Sequence, residues 1–106
     1  MSKLNLKENE KLIGEAQASH VKKLLIFPQA NPGKLYITDK RVVFEATTGR
    51  ASSEFEHELD EIASFKVGAM NTINMSLKNG ESHKITGMFN KKLIASLEEA
   101  GVKKDN

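Results

Sequence analysis

Five basic residues have the chemistry to hold an anion: Lys22 and Lys23, then Lys34, then the adjacent Lys40 and Arg41. A lysine ammonium attracts phosphate as a point charge, and an arginine fork binds two oxygens together. If the segment around Lys22 runs beside the hairpin that carries the other three, all five reach one rim. Each lysine close to an acidic lipid surface then contributes about 1 kcal/mol. The competing use of such charges is solvation or pairing, and Lys34 is expected opposite Glu45 across the hairpin, where it would be neutralised. Two further stretches carry the same choice. Leu24, Leu25, Ile26 and Phe27 before Pro28 form either an exposed apolar contact surface or a strand buried on both faces. Lys91 and Lys92 either assist an anion at the free N–H groups of a helix start or point to water.

Catalytic chemistry has less to stand on. His20, His57 and His83 are far apart, with no metal-ligand spacing, so a site would need three strands to converge. A histidine with Asp60 and a serine lacks both a nucleophile-elbow sequence and a glycine run for an oxyanion. The NPGK stretch at 31–34 is short of the phosphate-loop spacing and precedes a strand. With no cysteine, thiolate metal sites, cysteine nucleophiles and disulfides are excluded. One Tyr and five Phe, mostly needed for a core, leave few platforms for stacked bases, so nucleic acid is not an expected partner. The residues point to a non-enzymatic module with no cofactor and no metal.

The chain that positions these residues has 106 amino acids and a net charge of +2, with 16 basic and 14 acidic residues interspersed. That length supports one core. The N-terminus has no apolar leader, and no run approaches the roughly 18 to 20 apolar residues of a membrane span. A cytoplasmic protein, peripheral at a membrane if it meets one, is expected. Residues 1–11 read as a lead-in, 12–102 as one domain and 103–106 as a tail.

Alternation sets the elements. Residues 1–13 suit either a helical turn or two or an approach to the first strand, which runs from Glu15 to about Phe27. PQANPG, 28–33, reads as a loop because two prolines cannot donate to a ladder. With Asp39 and Lys40 as the turn, Leu35 faces Phe44 and Ile37 faces Val42; this collects Leu35, Ile37, Val42, Phe44 and Ala46 on a core face. Lys34, Tyr36, Thr38, Arg41, Val43 and Glu45 fall on a wetter one. Phe55, His57 and Leu59 mark a short strand, and Ala63, Phe65 and Val67 alternate along another. A three-residue turn, Lys78-Asn79-Gly80, pairs Ile73 with Ile85 and Met75 with His83, whereas a two-residue turn would strand Ile85 on the polar side. Phe89, Leu93, Leu97 and Ala100 form the stripe of a terminal helix, with Asn90 as N-cap, Phe89 stapled onto Ile94 and Gly101 as C-prime residue. Its charges oppose the helix dipole, with Lys91 and Lys92 at the start and Glu98 and Glu99 at the end, so packing must hold it. About seven strands followed by one helix exclude a doubly wound parallel sheet and favour an antiparallel barrel or sandwich.

Gly33-x-Leu35-Tyr36-Ile37-Thr38-x-x-Arg41-Val42-Val43-Phe44 resembles the signature hairpin of GRAM domains, of the pleckstrin-homology-like superfold, and Leu59, Glu61 and Ile62 resemble a second segment of that family. The resemblance implies a mainly β fold, a seven-stranded, strongly bent antiparallel barrel capped by the C-terminal helix. It also implies a lipid- or protein-binding module. Some pleckstrin-homology domains read inositol phosphates with a lysine, a loop and basic-x-arginine; Lys23 and Lys34 match the first two places, but Tyr36 stands at the arginine place. The expected partners are an anionic lipid head group at a membrane surface, or a protein or second copy of the chain.

Overall fold

The computed structural model describes residues 5–24, 27–47 and 53–105, the side chains at 23, 24, 27 and 28 excepted. Strands β1 (Leu12–Leu24), β2 (Phe27–Thr38), β3 (Arg41–Ala46) and β4 (Phe55–Glu58) are followed by β5 (Ile62–Val67), β6 (Ile73–Leu77) and β7 (Ser82–Thr86). Helix α1 (Asn90–Glu99) and a two-residue strand, β8 (Lys104–Asp105), end the chain. The strands form one bent sheet in the order β4-β3-β2-β1-β7-β6-β5-β8, antiparallel except for β8 beside β5. Long β1 joins the halves, because it pairs with β2 along its whole length and, at Ser19–Val21, also with β7.

Both hairpin registers follow the parity of their apolar residues. Lys34 pairs with Glu45, Leu35 with Phe44, Tyr36 with Val43 and Ile37 with Val42. Ile73 pairs with Ile85 and Met75 with His83, and Gly80 takes a φ of 96° in the turn, a left-handed value that a side chain would strain. Leu35, Ile37, Val42, Phe44, Phe65, Ile73, Met75, Ile85, Leu93 and Leu97 form the core, where α1 packs on β1. The approach is close at Gly14: a Cβ there would collide with the side chain of Ser96. At the helix end Gly101 (φ 93°) lets the Val102 N–H donate to the Leu97 carbonyl at 3.0 Å, and Val102 is buried.

Four expectations are corrected. Residues 28–33 are strand and not loop, because the Pro32 carbonyl accepts from Thr47, on the β3 side. Its nitrogen faces the same way, so the missing N–H costs the β1 ladder nothing, and Pro28 has the same parity. The wetter face of the first hairpin is also covered near its tip, with Tyr36, Thr38, Arg41 and Val43 all buried. Ala63 is exposed, since a register shift between Ile62 and Ser64 lets Ile62 and Phe65 point inward together. Asn90 lies inside the helix and its amide is used elsewhere, so it is no cap.

Candidate functional site

The tip of the first hairpin is a closed ion-pair network. Thr38 Oγ1 accepts the N–H groups of Lys40 and Arg41, each at 3.0 Å, which sets the turn. Residues 5–11 fold across it, and Glu10 Oε2 takes the Thr38 hydroxyl at 2.7 Å and Arg41 Nε at 2.7 Å. Arg41 Nη2 donates to Glu10 Oε1 and to the Asn5 carbonyl, and Nη1 to Glu56 Oε2 at 2.9 Å. Arg41 bonding lowers the Glu10 pKa to about 2 against the opposing effect of burial, and Glu10, more than Glu56, raises that of Arg41. With four of its five N–H groups bonded to protein, Arg41 fastens the N-terminal segment to the barrel.

Of the cations expected on one rim, Lys22 and Lys40 lie at opposite ends of the β1–β2 ladder. Lys22 pairs with Gln29 at the far end of β1, whereas Lys40 lies beyond Thr38, which pairs with Leu12. Ten residues at about 3.3 Å each put roughly 30 Å of strand between them. Lys23 has only its backbone described. Lys34 sits between the two ends and binds Glu15 of β1 at 2.6 Å, not Glu45, which accepts the Tyr36 hydroxyl at 3.3 Å. That Glu15 bond, ahead of the weaker pull of Glu45, raises the Lys34 pKa. Lys40 is exposed in a shallow cleft of mixed charge with Lys7, Glu8, Arg41 and Glu58. Of the apolar run, Leu25 and Ile26 lie outside the described residues, and Leu24 and Phe27 are described as backbone alone.

A different corner gathers exposed apolar side chains. Met70 is 93% exposed, Met88 87% and Phe89 47%; among the described residues only Leu6 is another large hydrophobic so open. The Asn90 amide donates to the Asn71 carbonyl at 2.8 Å and to that of Ile85 at 3.0 Å, tying the β5–β6 turn to the helix start. Met70 is therefore brought to the same corner as Met88 and Phe89. Met70 (φ 56°) and Asn71 (φ 61°) are both left-handed, a conformation costing about 1–2 kcal/mol for a residue with a side chain. Met70 recovers none of that by burial. Lys91 and Lys92, next along the chain, are exposed and form no ion pair among the described residues. The corner was missed in the sequence because each residue looked isolated; the usable signal was a methionine in a strand turn and another outside the helical stripe.

The three histidines, far apart in sequence, converge from three strands. His57 Nε2 lies 3.0 Å from His83 Nε2, His83 Nδ1 lies 3.2 Å from His20 Nε2, and His20 Nδ1 lies 2.7 Å from the Ser53 carbonyl. Phe55 stacks on His83 with centroids 4.1 Å apart. The nitrogens face one another in pairs around His83 and share no central point, and no group of ligands among the described residues is arranged to hold a metal ion.

A bent antiparallel sheet capped by a terminal helix is a pleckstrin-homology-like fold, and solved structures agree. The C-terminal domain of an unknown protein from Leishmania infantum is similar with a TM-score of 0.70 at 19% identity, over 88% of this chain and 85% of that one. The N-terminal PH domain of Vps36 gives 0.58 at 19%, over 90% and 84%. A linker-DH/PH fragment of p115-RhoGEF gives 0.63 at 10%, over 87% of this chain but 29% of that one. The family model for the GRAM domain matches residues 1–99, and the chain belongs to that family. No curated protein matches it. Domains of this kind are lipid- or protein-binding modules, typically non-catalytic. Among the described residues, no helix is long and apolar enough to cross a membrane.

Proposed function

We propose that the domain is a non-enzymatic module that associates weakly and peripherally with anionic membrane surfaces, and that the Met70–Met88–Phe89 corner makes the contact. The observation that carries this reading is the pairing of exposed apolar side chains with the unpaired Lys91 and Lys92. Apolar groups that enter the acyl boundary gain about 25 cal/mol per Å² removed from water, while each lysine at the surface adds about 1 kcal/mol. Neither suffices alone, and together they give weak, reversible, salt-sensitive attachment. The lysines against the dipole then have a purpose: they face a membrane instead of the helix end.

The second reading is a protein-interaction or homo-oligomerising domain. It is favoured by β4, which ends the ladder on one side and can accept another strand. Sedimentation with vesicles of phosphatidylserine in phosphatidylcholine, and with phosphatidylcholine alone, separates the two readings. Lipid association predicts pelleting with the acidic vesicles that weakens with salt and falls at least tenfold in a Lys91→Glu/Lys92→Glu variant. No pelleting at low salt, or an oligomer that persists at high salt without lipid, favours the second.

A further inference from the structure

We propose that the His57–His83–His20 chain is an acid-sensitive latch that holds β4 and the residues before it against β1 and β7. This inference is independent of the membrane reading. In the ladder β4 and β7 are separated by β3, β2 and β1, so no backbone pairing joins them. They meet through side chains, His57 and Phe55 of β4 on His83 of β7, and His83 passes the connection to His20 of β1. His20 then reaches back to the carbonyl of Ser53, just before β4.

Counting protons shows why acid would open this seam. The Ser53 carbonyl requires a hydrogen on His20 Nδ1, and each of the two nitrogen–nitrogen contacts requires one hydrogen between its atoms. Three neutral imidazoles carry three hydrogens, which satisfy all three contacts and leave His57 Nδ1 bare. A fourth proton fits there, facing the Glu61 carboxylate 3.8 Å away. A fifth must place N–H against N–H in one of the two nitrogen–nitrogen contacts of a chain that already carries a positive charge, and that contact separates. The other charged groups acting on the chain are Lys22, which opposes protonation of His20 and His83, and Glu81, which favours that of His83. Burial, more than these charges, lowers the pKa of His20 and takes that of His83 to about 4. The latch therefore resists the first units of acidification and releases as a second proton enters.

Amide hydrogen exchange of the whole chain, expressed as protection against intrinsic rates, tests this between pH 7.5 and 4. Residues 55–58 should lose protection by tenfold or more on acidification, reversibly, while the β5–β6 pair retains its own. His83→Phe keeps a ring for Phe55 to stack on but cannot take a proton, and should abolish that selective loss. Imidazole NMR titration of the unaltered chain gives the same answer without a variant: one ring should take a proton before β4 opens, and the other two only as it opens. Unchanged protection of β4 down to pH 4, the same acid loss in a folded His83→Phe protein, or three independent titrations with β4 closed would overturn the latch.

Discussion

The hairpin tip at Arg41 and the corner at Met70 both draw residues from distant parts of the chain, but they do so to opposite ends. At the tip, Arg41 and Glu10 are buried and the guanidinium makes four hydrogen bonds to carboxylates and a carbonyl. At the corner, a buried amide holds two connections together while the methionines, the phenylalanine and the lysines beside it are left in water. The arginine that looks most like an anion ligand is used by the fold. The residues the fold leaves unsatisfied are the ones available to a ligand.

Removing Arg41 should break the comparison most sharply. Arg41→Ala leaves the Glu10 carboxylate buried without its cation, and should cost about 3–5 kcal/mol in denaturant unfolding. The double change at Lys91 and Lys92 should stay within about 0.5 kcal/mol of the parent by the same measurement. Acid should act on the tip in the same sense. Because the folded pKa of Glu10 is depressed from 4.5 to about 2, its contribution is complete above pH 4.5 and is lost as the pH falls towards 2. A pH series of unfolding midpoints should show that loss, and Glu10→Gln should remove its part of the slope. Asn90→Ala leaves the carbonyls of Asn71 and Ile85 without their donor and should cost about 1–3 kcal/mol; in a folded variant it should also weaken vesicle binding by loosening the corner. Lys34→Ala loses a half-buried pair with Glu15 and should cost no more than about 1 kcal/mol, a smaller loss than either of the changes at Arg41 and Asn90.

The registers were legible because a slip by one residue would have turned Leu35, Ile37, Val42 and Phe44, or Ile73 and Ile85, out of the core. Gly101 and Val102 were legible for the same reason, since local geometry and burial demand one answer. The charge partners were not. Lys34 does face Glu45 across the hairpin, yet its ammonium goes to Glu15, because a long side chain on the central strand β2 has carboxylates on both neighbours. Arg41 was read at the correct place in the turn, and its burial depends on residues 5–11 folding over it, with Glu10 thirty-one positions away in sequence. The histidines are separated by as many as 63 positions, and only the curvature of the sheet brings β4 to β7.

The chain contains no tryptophan, so a single one can report where it touches lipid. Met88→Trp places the reporter at the corner and Lys40→Trp at the opposite hairpin tip, both at exposed positions. On addition of vesicles containing phosphatidylserine, the emission of the Met88→Trp protein should shift to the blue and become shielded from aqueous quenchers, while that of Lys40→Trp stays as in buffer. A shift at position 40 with none at position 88 would contradict the account, as would the absence of a shift at both.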